Sequence, residues 1–421
     1  TITTVTSGTQ GYAGPMTNAG TITGVGAVTF SSTYGQTAGS LTGGAGLVKF
    51  SGTATHSGGT ITSGTGGLEF DAAYTGSGGA SLAGNVTGNI TFYGDVTLDG
   101  FSAGSGTAVL AGTVAQAIRA NSQTFATLSV TKTGGTATTA GGGNGSLSAA
   151  LFSQSGAGGS FVLSSGDTMA VTSATTVSDG TLSLTDGIYS GSGVPFTVSG
   201  GTVNVGTKAF TAGAMTVSGG SFTQTGSNAS TITSLDVQGG ICTWDAGSLA
   251  MTSFLTASGG SLVLGSKTVS GVTNLGITGS AASNLGSSTV AMNGNLAFTS
   301  TGTHTVGTSA IMMGGAGRTI DISGSGLTGS LTISGNTTIN TAGVVTDIET
   351  LNIGAGTLTV ATGVPLGAGT VNLTGAGNLS CLGTGSVTVT SGGVTINGSG
   401  GIGVSGTGAL GITGGLAWGA G

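Results

Sequence analysis

The chain has 421 residues, of which 91 are glycine and only 18 carry a formally charged side chain, six basic and twelve acidic. Three prolines and irregular glycine spacing exclude a collagen-like chain, and the abundance of Thr, Val and Ile argues against disorder. The basic residues are scattered singly, which excludes a nucleic-acid-binding surface, and no apolar run is long enough for a transmembrane helix.

Short apolar segments recur at a nearly constant interval in the first quarter of the chain. One series consists of Phe30, Phe50, Phe70 and Phe92. Another consists of Ile22, Leu41, Ile61 and Leu82. Two independent apolar columns that share one period predict a repeat unit of about 20 residues. The rhythm breaks over residues 112–140, which predicts an irregular coil or a protruding loop.

The same period returns in the middle of the chain with different side chains. One column runs through Val177, Val198, Val217 and Val237. Its companion runs through Leu182, Val203, Phe222, Cys242 and Leu262. Within each segment apolar and polar residues alternate, as in Thr202-Val203-Asn204-Val205, which is the pattern of a β-strand with one buried face.

The last part of the chain changes its spacing. Ile333, Ile353 and Leu373 keep the period of the earlier columns, whereas Leu379, Val394 and Leu410 follow one another at shorter intervals. This predicts shorter coils over residues 375–421. The chain opens on strand-like residues and closes on 414–421 without a polar cap. We therefore expect either that this sequence is the ordered part of a longer protein or that identical subunits stack end to end into a fibre.

These patterns predict an all-β fold, a single long right-handed parallel β-helix that is continuous over residues 1–421 with about 20 residues per coil. Equivalent strands of successive coils would pair at about 4.8 Å, and glycine would occupy the corners. The expected interior consists of Phe30, Phe50, Phe70, Phe92, Val177, Val198, Val217, Val237, Leu182, Val203, Phe222, Cys242 and Leu262.

Two segments, Gly200-Gly201-Thr202-Val203-Asn204-Val205 and Gly392-Gly393-Val394-Thr395-Ile396, resemble the repeats of bacterial secreted β-solenoids. These families are autotransporter passenger domains and filamentous-haemagglutinin-type adhesins, and the resemblance covers almost the whole chain. It implies a secreted, surface-displayed or fibrous role. The chain has neither a recognisable autotransporter barrel nor a clear secretion-domain motif.

Close pairs of carboxylates are the candidates for catalysis, because glycoside hydrolysis needs two acids and lyase chemistry needs acids beside a base. Neighbouring acids occur at Asp95 and Asp99, Glu69 and Asp71, and Asp347 and Glu349. None has a basic or aromatic platform nearby, so we interpret them as solvated carboxylates, with a weak Ca²⁺ or sugar contact as the alternative. Asp167 and Asp186 lie about one coil apart and are interpreted as structural. We expect no catalytic residue, metal site or cofactor.

The remaining chemistry-bearing residues also favour structural roles. His56 and His304 are too far apart in sequence to make a triad or a metal site. Cys242 and Cys381 alternate with apolar residues as inward positions do, and seven coils of separation exclude a disulfide. Lys49 and Glu69 occupy equivalent outward positions on adjacent coils, which predicts an ion pair.

The function we expect is that of an extracellular, cell-surface structural protein, without enzymatic activity, whose partner is a second copy bound head to tail. One alternative is a monomeric adhesin stalk or a glycan-binding or glycan-cleaving β-helix, which would need an aromatic platform or an acid cluster. Another is an ice-binding surface made by outward columns. One outward column consists of Thr21, Ser40 and Thr60. A second consists of Thr176, Thr197, Thr216, Asp236 and Thr256, in which all residues except Asp236 carry a hydroxyl. Neither nucleic acid nor membrane insertion is expected.

Overall fold

The computed structural model is a parallel β-solenoid of roughly 18 turns with about 21 residues per turn, which confirms the predicted fold class. It describes residues 2–5, 8–24, 26–84, 87–102, 106–245, 247–305, 307–322, 329–339 and 345–418. Strands, turns and bends make up these residues, and none of them is helical. No membrane-spanning helix is therefore found in the described ranges.

The chain divides into two compact units, Thr1–Gly213 and Ala214–Gly421. Each unit is described by itself below. The expectation of one continuous solenoid over residues 1–421 stays a prediction.

Unit 1 is built from three ladders of parallel strands, which we name faces A, B and C. Face A contains β1(Ile2–Val5), β4(Thr21–Gly24), β7(Ser40–Thr42), β10(Thr60–Thr62), β13(Ser81–Ala83), β16(Phe101–Ser102), β25(Ile188–Ser190) and β28(Phe210–Thr211). Face B contains β2(Thr9–Tyr12), β5(Ala27–Phe30), β8(Val48–Phe50), β11(Leu68–Phe70), β14(Ile90–Phe92), β17(Thr107–Leu110) and β26(Phe196–Val198).

Three longer strands run through faces A and B without a break: β19(Gln123–Val130), β21(Leu147–Gln154) and β23(Thr168–Val177). Face C contains β3(Met16–Asn18), β6(Tyr34–Gln36), β9(Ala54–His56), β12(Tyr74–Gly76), β15(Val96–Thr97), β18(Gln116–Arg119), β20(Thr136–Thr139), β22(Ser160–Val162), β24(Thr181–Ser183) and β27(Thr202–Asn204).

Alternation within each strand sends every second side chain into the interior. In face B, Phe30, Phe50 and Phe70 are register partners, and their rings stack at centroid distances of 5.1 and 4.7 Å. Phe92 extends the stack by 5.3 Å. Because a single turn cannot cover these rings, each turn depends on its neighbours for burial.

Of the two alternatives predicted for residues 112–140, an irregular coil and a protruding loop, the structure shows an irregular turn that stays within the solenoid. Within this segment, β18, β19 and β20 stay in register with the turns on either side. The turn is nevertheless longer than its neighbours, because Leu128 pairs with Phe152, which lies beyond the usual interval of one turn. Its corner is also unusual, since Asn121 and Ser122 adopt positive φ angles of 49° and 60°.

Unit 2 is likewise built from three ladders, D, E and F. Ladder D contains β31(Ser230–Thr231), β34(Ser248–Ala250), β37(Thr268–Val272), β40(Thr289–Met292), β43(Ala310–Met313), β45(Ser330–Ile333), the second parts of β47(Val345–Ile353), β49(Pro365–Gly375) and β51(Ser386–Gly398), and β54(Leu416–Trp418).

Ladder E contains β29(Ala214–Val217), β32(Ser234–Val237), β35(Leu255–Ala257), β38(Leu275–Ile277), β41(Leu296–Phe298), β44(Arg318–Ile322), β46(Thr337–Ile339), β48(Thr357–Val360), β50(Asn378–Cys381) and β52(Gly401–Val404). Ladder F contains β30(Ser221–Gln224), β33(Ile241–Trp244), β36(Ser261–Val263), β39(Ala282–Asn284) and β42(His304–Thr305). A further ladder joins the first parts of β47, β49 and β51 to β53(Ala409–Ile412).

The predicted shortening of the coils over residues 375–421 was wrong. Leu379 pairs with Ile402 and Val371 with Val394, so a full turn separates equivalent positions here as it does elsewhere. Leu379, Val394 and Leu410 lie on β50, β51 and β53. The short intervals between them therefore join different strands rather than equivalent positions of successive turns.

Glycine at the corners allows the turns to stack closely. Gly59 has a φ of +78°, and a Cβ atom there would lie 2.3 Å from the carbonyl oxygen of Gly39 in the preceding turn. Gly39 itself has a φ of +67°. Only glycine meets both demands, the left-handed backbone and the close approach of another main chain.

Candidate functional surfaces

The structure places the expected column residues in the interior of the two units. All thirteen side chains are at most 1% exposed. Phe30, Phe50, Phe70 and Phe92 form the face B stack, and Cys242 pairs in register with Phe222 and Leu262 in unit 2. These residues are therefore unavailable to an external ligand.

Lys49, Glu69 and Asp71 form a charged cluster on the outer side of face B. The Lys49 ammonium contacts the Glu69 carboxylate and lies 2.8 Å from Asp71 Oδ2, which confirms the predicted Lys49–Glu69 pair. Hydrogen bonds to Asp71 and Glu69 raise the pKa of Lys49 above its ordinary value. The two carboxylates are held by one cation in a solvent-exposed position, so the cluster ties adjacent turns together.

The other carboxylate pairs are not assembled into a reactive centre. Asp95 Oδ1 accepts a hydrogen bond of 2.8 Å from the backbone N–H of Ala117, and Asp99 is exposed. Glu349 is exposed, and the side chain of Asp347 lies outside the described residues. No group of three or more His, Cys, Asp or Glu side chains suited to a metal ion occurs in the described ranges.

Asp167 is a fully buried carboxylate held by the main chain of a glycine-rich corner. It accepts hydrogen bonds from the N–H groups of Gly141, Gly143 and Gly145 at 2.8, 2.9 and 3.0 Å. These three donors take the place of water around the charge. Asp186, by contrast, is exposed on its own corner. The structural interpretation of Asp167 thus acquires a specific role, the closure of this corner.

Lys132 is the corresponding buried cation of unit 1. Its ammonium donates to the carbonyl oxygens of Ala111 and Val114 at 3.2 and 2.7 Å and to Gln116 Oε1 at 3.0 Å. Burial lowers the pKa of this amine. The sequence carries a signal for this position, because Lys132 continues the inward alternation of the strand before it, but the apolar columns do not include a lysine.

A polar cluster lies inside unit 2 around Lys267. The Lys267 ammonium donates to Gln224 Oε1 and lies 5.3 Å from the ring centroid of Trp244. Burial lowers the pKa of Lys267 to about 8, against a smaller opposing effect of Asp245. Trp244 Nε1 donates to Cys242 Sγ at 3.2 Å, and burial raises the pKa of that thiol to about 12.

Each histidine serves its local structure. His56 Nε2 donates to the carbonyl oxygen of Gly59 at 3.0 Å, so Nδ1 accepts from the Tyr74 hydroxyl at 2.9 Å. Burial lowers the pKa of His56. His304 Nδ1 lies 2.9 Å from the Ser283 hydroxyl. Both described cysteines are free and buried.

Face A of unit 1 carries a two-column array of hydroxyl groups, which we name the hydroxyl face. Its seven side chains point outward from four adjacent strands in continuous register: Thr21, Thr23, Ser40, Thr42, Thr60, Thr62 and Ser81. No hydrogen bond joins any of these hydroxyls to another described group of the protein. The predicted column through Thr21, Ser40 and Thr60 is thus confirmed and joined by a second column.

The last described turn of unit 2 presents side chains at positions that earlier turns bury, and we name it the terminal face. Leu416 and Trp418 are 59% and 69% exposed, whereas their register partners Val394 and Ile396 are 1% and 2% exposed. The inward positions of the terminal face are Ile402, Val404, Leu410, Ile412, Leu416 and Trp418. The sequence predicts an uncapped end, whereas the exposure of these residues is visible only in the structure.

Shallow depressions also occur on the outside of unit 2. One of about 270 Å³ is lined by Leu366, Gly367 and Thr388, and one of about 370 Å³ by Ala291, Met312 and Thr332, each among further small residues. No titratable side chain lines either of them. They offer little for chemistry or for charged ligands.

Comparison of the chain with protein-family models, with curated proteins and with solved structures finds no match.

Proposed function

We propose that the protein is an extracellular structural protein, the subunit of a surface fibre that grows by end-to-end stacking of solenoids. The observation that carries this proposal is the parallel register that strands keep from turn to turn within each unit, because a stacked copy would continue the same pairing. Leu416 and Trp418 continue columns that the preceding turn buries, yet both are largely exposed. Covering them with another turn would remove a large apolar area from water.

The distribution of charge supports stacking. No charged side chain precedes Lys49 in the sequence, and none follows Glu349. Natural β-proteins commonly protect free strand edges with charges, especially lysine. The strands before Lys49 and after Glu349 lack that protection, which favours edge-to-edge assembly.

A non-catalytic role outside the cell fits the remaining features. The described carboxylates of the candidate pairs are exposed, bound by Lys49 or hydrogen-bonded to the main chain, and Trp244 is buried rather than displayed as a sugar platform. A surface with few charges and many hydroxyls suits a secreted scaffold, as does the resemblance to secreted β-solenoid repeats.

Negative-stain electron microscopy of the purified chain over a range of concentrations tests the fibre. We expect filaments that lengthen with concentration and that are abolished by Trp418→Glu. Ile241→Glu is the matched control, because Ile241 is 51% exposed but lies away from the terminal face, and it should leave the filaments intact. Isolated particles at every concentration would overturn the proposal.

The hydroxyl face favours a second candidate function, the binding of ice. Parallel strands separate neighbouring hydroxyls by about 4.8 Å, and alternate residues of one strand by about 6.6 Å, so the columns form a regular lattice. The seven hydroxyls are free of partners among the described residues and can all bind water. None of the seven positions carries an aromatic side chain on which a sugar ring could stack, which argues against this face as a glycan-binding site.

Ice recrystallisation in the presence of the chain tests this candidate. Thr42→Lys in the middle of the hydroxyl face should abolish any inhibition of crystal growth, because a long charged side chain interrupts the lattice. Thr91→Lys on face B is the matched control. Equal crystal growth with and without the unsubstituted chain would exclude ice binding.

A further inference from the structure

We propose that the buried Lys267 amine and the side-chain amide of Gln224 join in an intramolecular isopeptide bond, with the loss of ammonia. The proposal concerns the interior of unit 2 and is independent of the fibre and of the hydroxyl face. It assigns a covalent modification site to the polar cluster around Lys267.

The two groups meet inside the solenoid. Gln224 ends β30 and Lys267 lies 43 positions later, just before β37, and both side chains are completely buried. Lys267 Nζ lies 2.5 Å from Gln224 Oε1. Because a C=O bond is about 1.23 Å long, Nζ is within about 3.8 Å of the amide carbon Cδ. Reacting atoms need a separation of about 3–3.5 Å, so a small movement brings the amine to its target.

The reaction is a transamidation that balances within the pair. The lone pair of the neutral Lys267 amine attacks Cδ of Gln224, and the bond between Cδ and Nε2 breaks. The attacking nitrogen loses one proton and Nε2 gains one, so ammonia departs and a neutral secondary amide remains. The reaction consumes no oxidant, reductant or co-reactant.

Ser230 is placed to supply the proton that the leaving nitrogen needs. Gln224 Nε2 donates a hydrogen bond of 2.9 Å to the hydroxyl of Ser230, and this serine is buried. A hydroxyl accepts one hydrogen bond and donates its own proton in another. By turning its O–H towards Nε2, Ser230 can pass a proton to the nitrogen as the ammonia forms.

Charge and burial favour the reaction. The negative charge of Asp245 acts on the Lys267 amine and stabilises the positive charge that develops on the attacking nitrogen. Burial lowers the pKa of Lys267 to about 8, so most of this amine is neutral and nucleophilic at pH 9. The product replaces a buried ammonium by a neutral amide, which removes the desolvation cost of the charge.

Lys132 provides an internal comparison in unit 1. Its ammonium also lies against a glutamine, 3.0 Å from Gln116 Oε1. Gln116 Nε2, however, donates to the carbonyl oxygens of Phe92 and Gly94 at 2.9 and 2.8 Å. A carbonyl oxygen has no proton to give, so these contacts do not help ammonia to leave. We therefore expect a bond at Lys267 and a free amine at Lys132.

Intact-mass spectrometry of the purified chain tests the bond. Samples are held for several days at pH 7 and pH 9, and circular dichroism verifies that they stay folded. We expect the pH 9 sample to lose the mass of one ammonia molecule, well ahead of the pH 7 sample, in which most of the amine is protonated. Fresh samples still carry the free amine, and its titration is measured on them.

Tandem mass spectrometry of a digest locates the bond. We expect a branched peptide that joins the segments of Gln224 and Lys267. A sample held at pH 9 in urea should not contain it, because unfolding separates the two side chains. Absence of the branched peptide from the folded pH 9 sample would overturn the proposal.

Gln224→Glu and Gln116→Glu are a matched pair of variants. The Gln224→Glu carboxylate keeps a contact with the Lys267 ammonium but has no ammonia to release, so the mass loss should vanish. Gln116→Glu should retain it. A succinimide at Asn144-Gly145 would release the same mass, but it would survive in Gln224→Glu and map to Asn144. An equal loss of ammonia in Gln224→Glu and in the unsubstituted chain would likewise overturn the proposal.

Discussion

Asp167 and Lys132 hold charges inside unit 1 by solvating them with neutral groups. Three backbone N–H groups surround the carboxylate, and three carbonyl oxygens surround the ammonium. A buried ion whose hydrogen-bonding capacity is filled avoids much of the desolvation penalty that an unsatisfied one incurs. Each residue therefore depends on one specific corner of the solenoid.

Replacing Asp167 by alanine should destabilise unit 1 strongly. Three N–H groups, of which that of Gly145 is buried and the other two are partly buried, would lose their acceptor, and the expected loss is about 2–4 kcal/mol of unfolding free energy. Urea denaturation followed by circular dichroism measures it. Asp186→Ala is the control, because Asp186 is exposed, and it should change the stability by less than about 0.5 kcal/mol. Equal midpoints for the two variants would refute the role of Asp167.

Lys267 should make unit 2 more stable in mild alkali. Its pKa is about 8 in the folded chain and 10.5 as an ordinary lysine. Above pH 8 the unfolded state binds more protons at Lys267 than the folded state does, so this lysine makes stability rise with pH. Above pH 9 the buried Cys242 acts in the opposite sense, because burial raises the pKa of its thiol and the unfolded thiol ionises first. Urea denaturation at pH 7, 8 and 9 therefore checks the rise.

The fluorescence of Trp244 provides an independent measurement of this titration. The chain has two tryptophans, and in Trp418→Phe the remaining emission comes from Trp244 only. Its emission should change with a midpoint at a pH of about 8 and lose that change in Lys267→Met. An unchanged titration in Lys267→Met would show that another group is responsible.

At the scale of the strand, aromatic rings of adjacent turns stack inside face B and bury one another. Phe50 lies between Phe30 and Phe70, parallel to Phe70 within 4° and to Phe30 within 15°. Tyr34 meets Phe50 edge-on at 5.0 Å. The ring is thus packed on both faces and at its edge, and it is completely buried.

Phe50→Ala should cost about 3–5 kcal/mol of unfolding free energy, since it removes a large buried ring and leaves a cavity between two turns. Chemical denaturation measures this loss. Lys49→Ala, one residue away on the outer side of the same strand, should cost less than about 1 kcal/mol because its ion pairs are solvent-exposed. A comparable loss in both variants would contradict the inward–outward assignment.

The strands themselves were largely predictable from the sequence, because period-two alternation and the repeating columns report the same geometry. The corners were not. The broken rhythm at 112–140 predicted an irregular coil or a protruding loop without deciding between them, and the chain there stays in register and lengthens the turn. After residue 375 the strands within one turn have similar composition. Leu379, Val394 and Leu410 lie on different strands, and the short intervals between them were therefore mistaken for the length of a turn.

The hydroxyl and terminal faces were predictable to different extents. Thr21, Ser40 and Thr60 share the repeat period, so their column was visible in the sequence. The exposure of Leu416 and Trp418 depends on which turn lies beside them, which no local pattern encodes. The glycines that bind Asp167 gave no sign of doing so, since they lie a full turn away in sequence and the contact depends on the register of two corners.

At the scale of the whole molecule, each turn contacts chiefly its neighbours, as in other repeat proteins. Deleting residues 41–60 removes one turn and joins Ser40 to Ile61, the register partner of Leu41. We expect the shortened chain to fold with its strand signal and cooperative melting retained, at a lower midpoint because Lys49, Phe50 and His56 are lost. Circular dichroism and thermal melting check this.

The control deletion removes residues 41–50 only. It displaces every following corner by half a turn, so the strands of unit 1 can no longer meet their partners. We expect this variant to lose cooperative melting. Equal behaviour of the two deletions would show that the repeat unit is not one turn.

When successive turns are this similar, a strand can pair one full turn away from its native partner, because apolar columns would be buried almost equally well in that register. Lys132 permits only one register, because its three acceptors, at Ala111, Val114 and Gln116, occur together at one place only. Asp167 has the same property at its corner. Lys132 and Asp167, the two buried charges of unit 1 described above, therefore favour one alignment of its turns, because any other alignment would leave a buried charge without its hydrogen-bond partners.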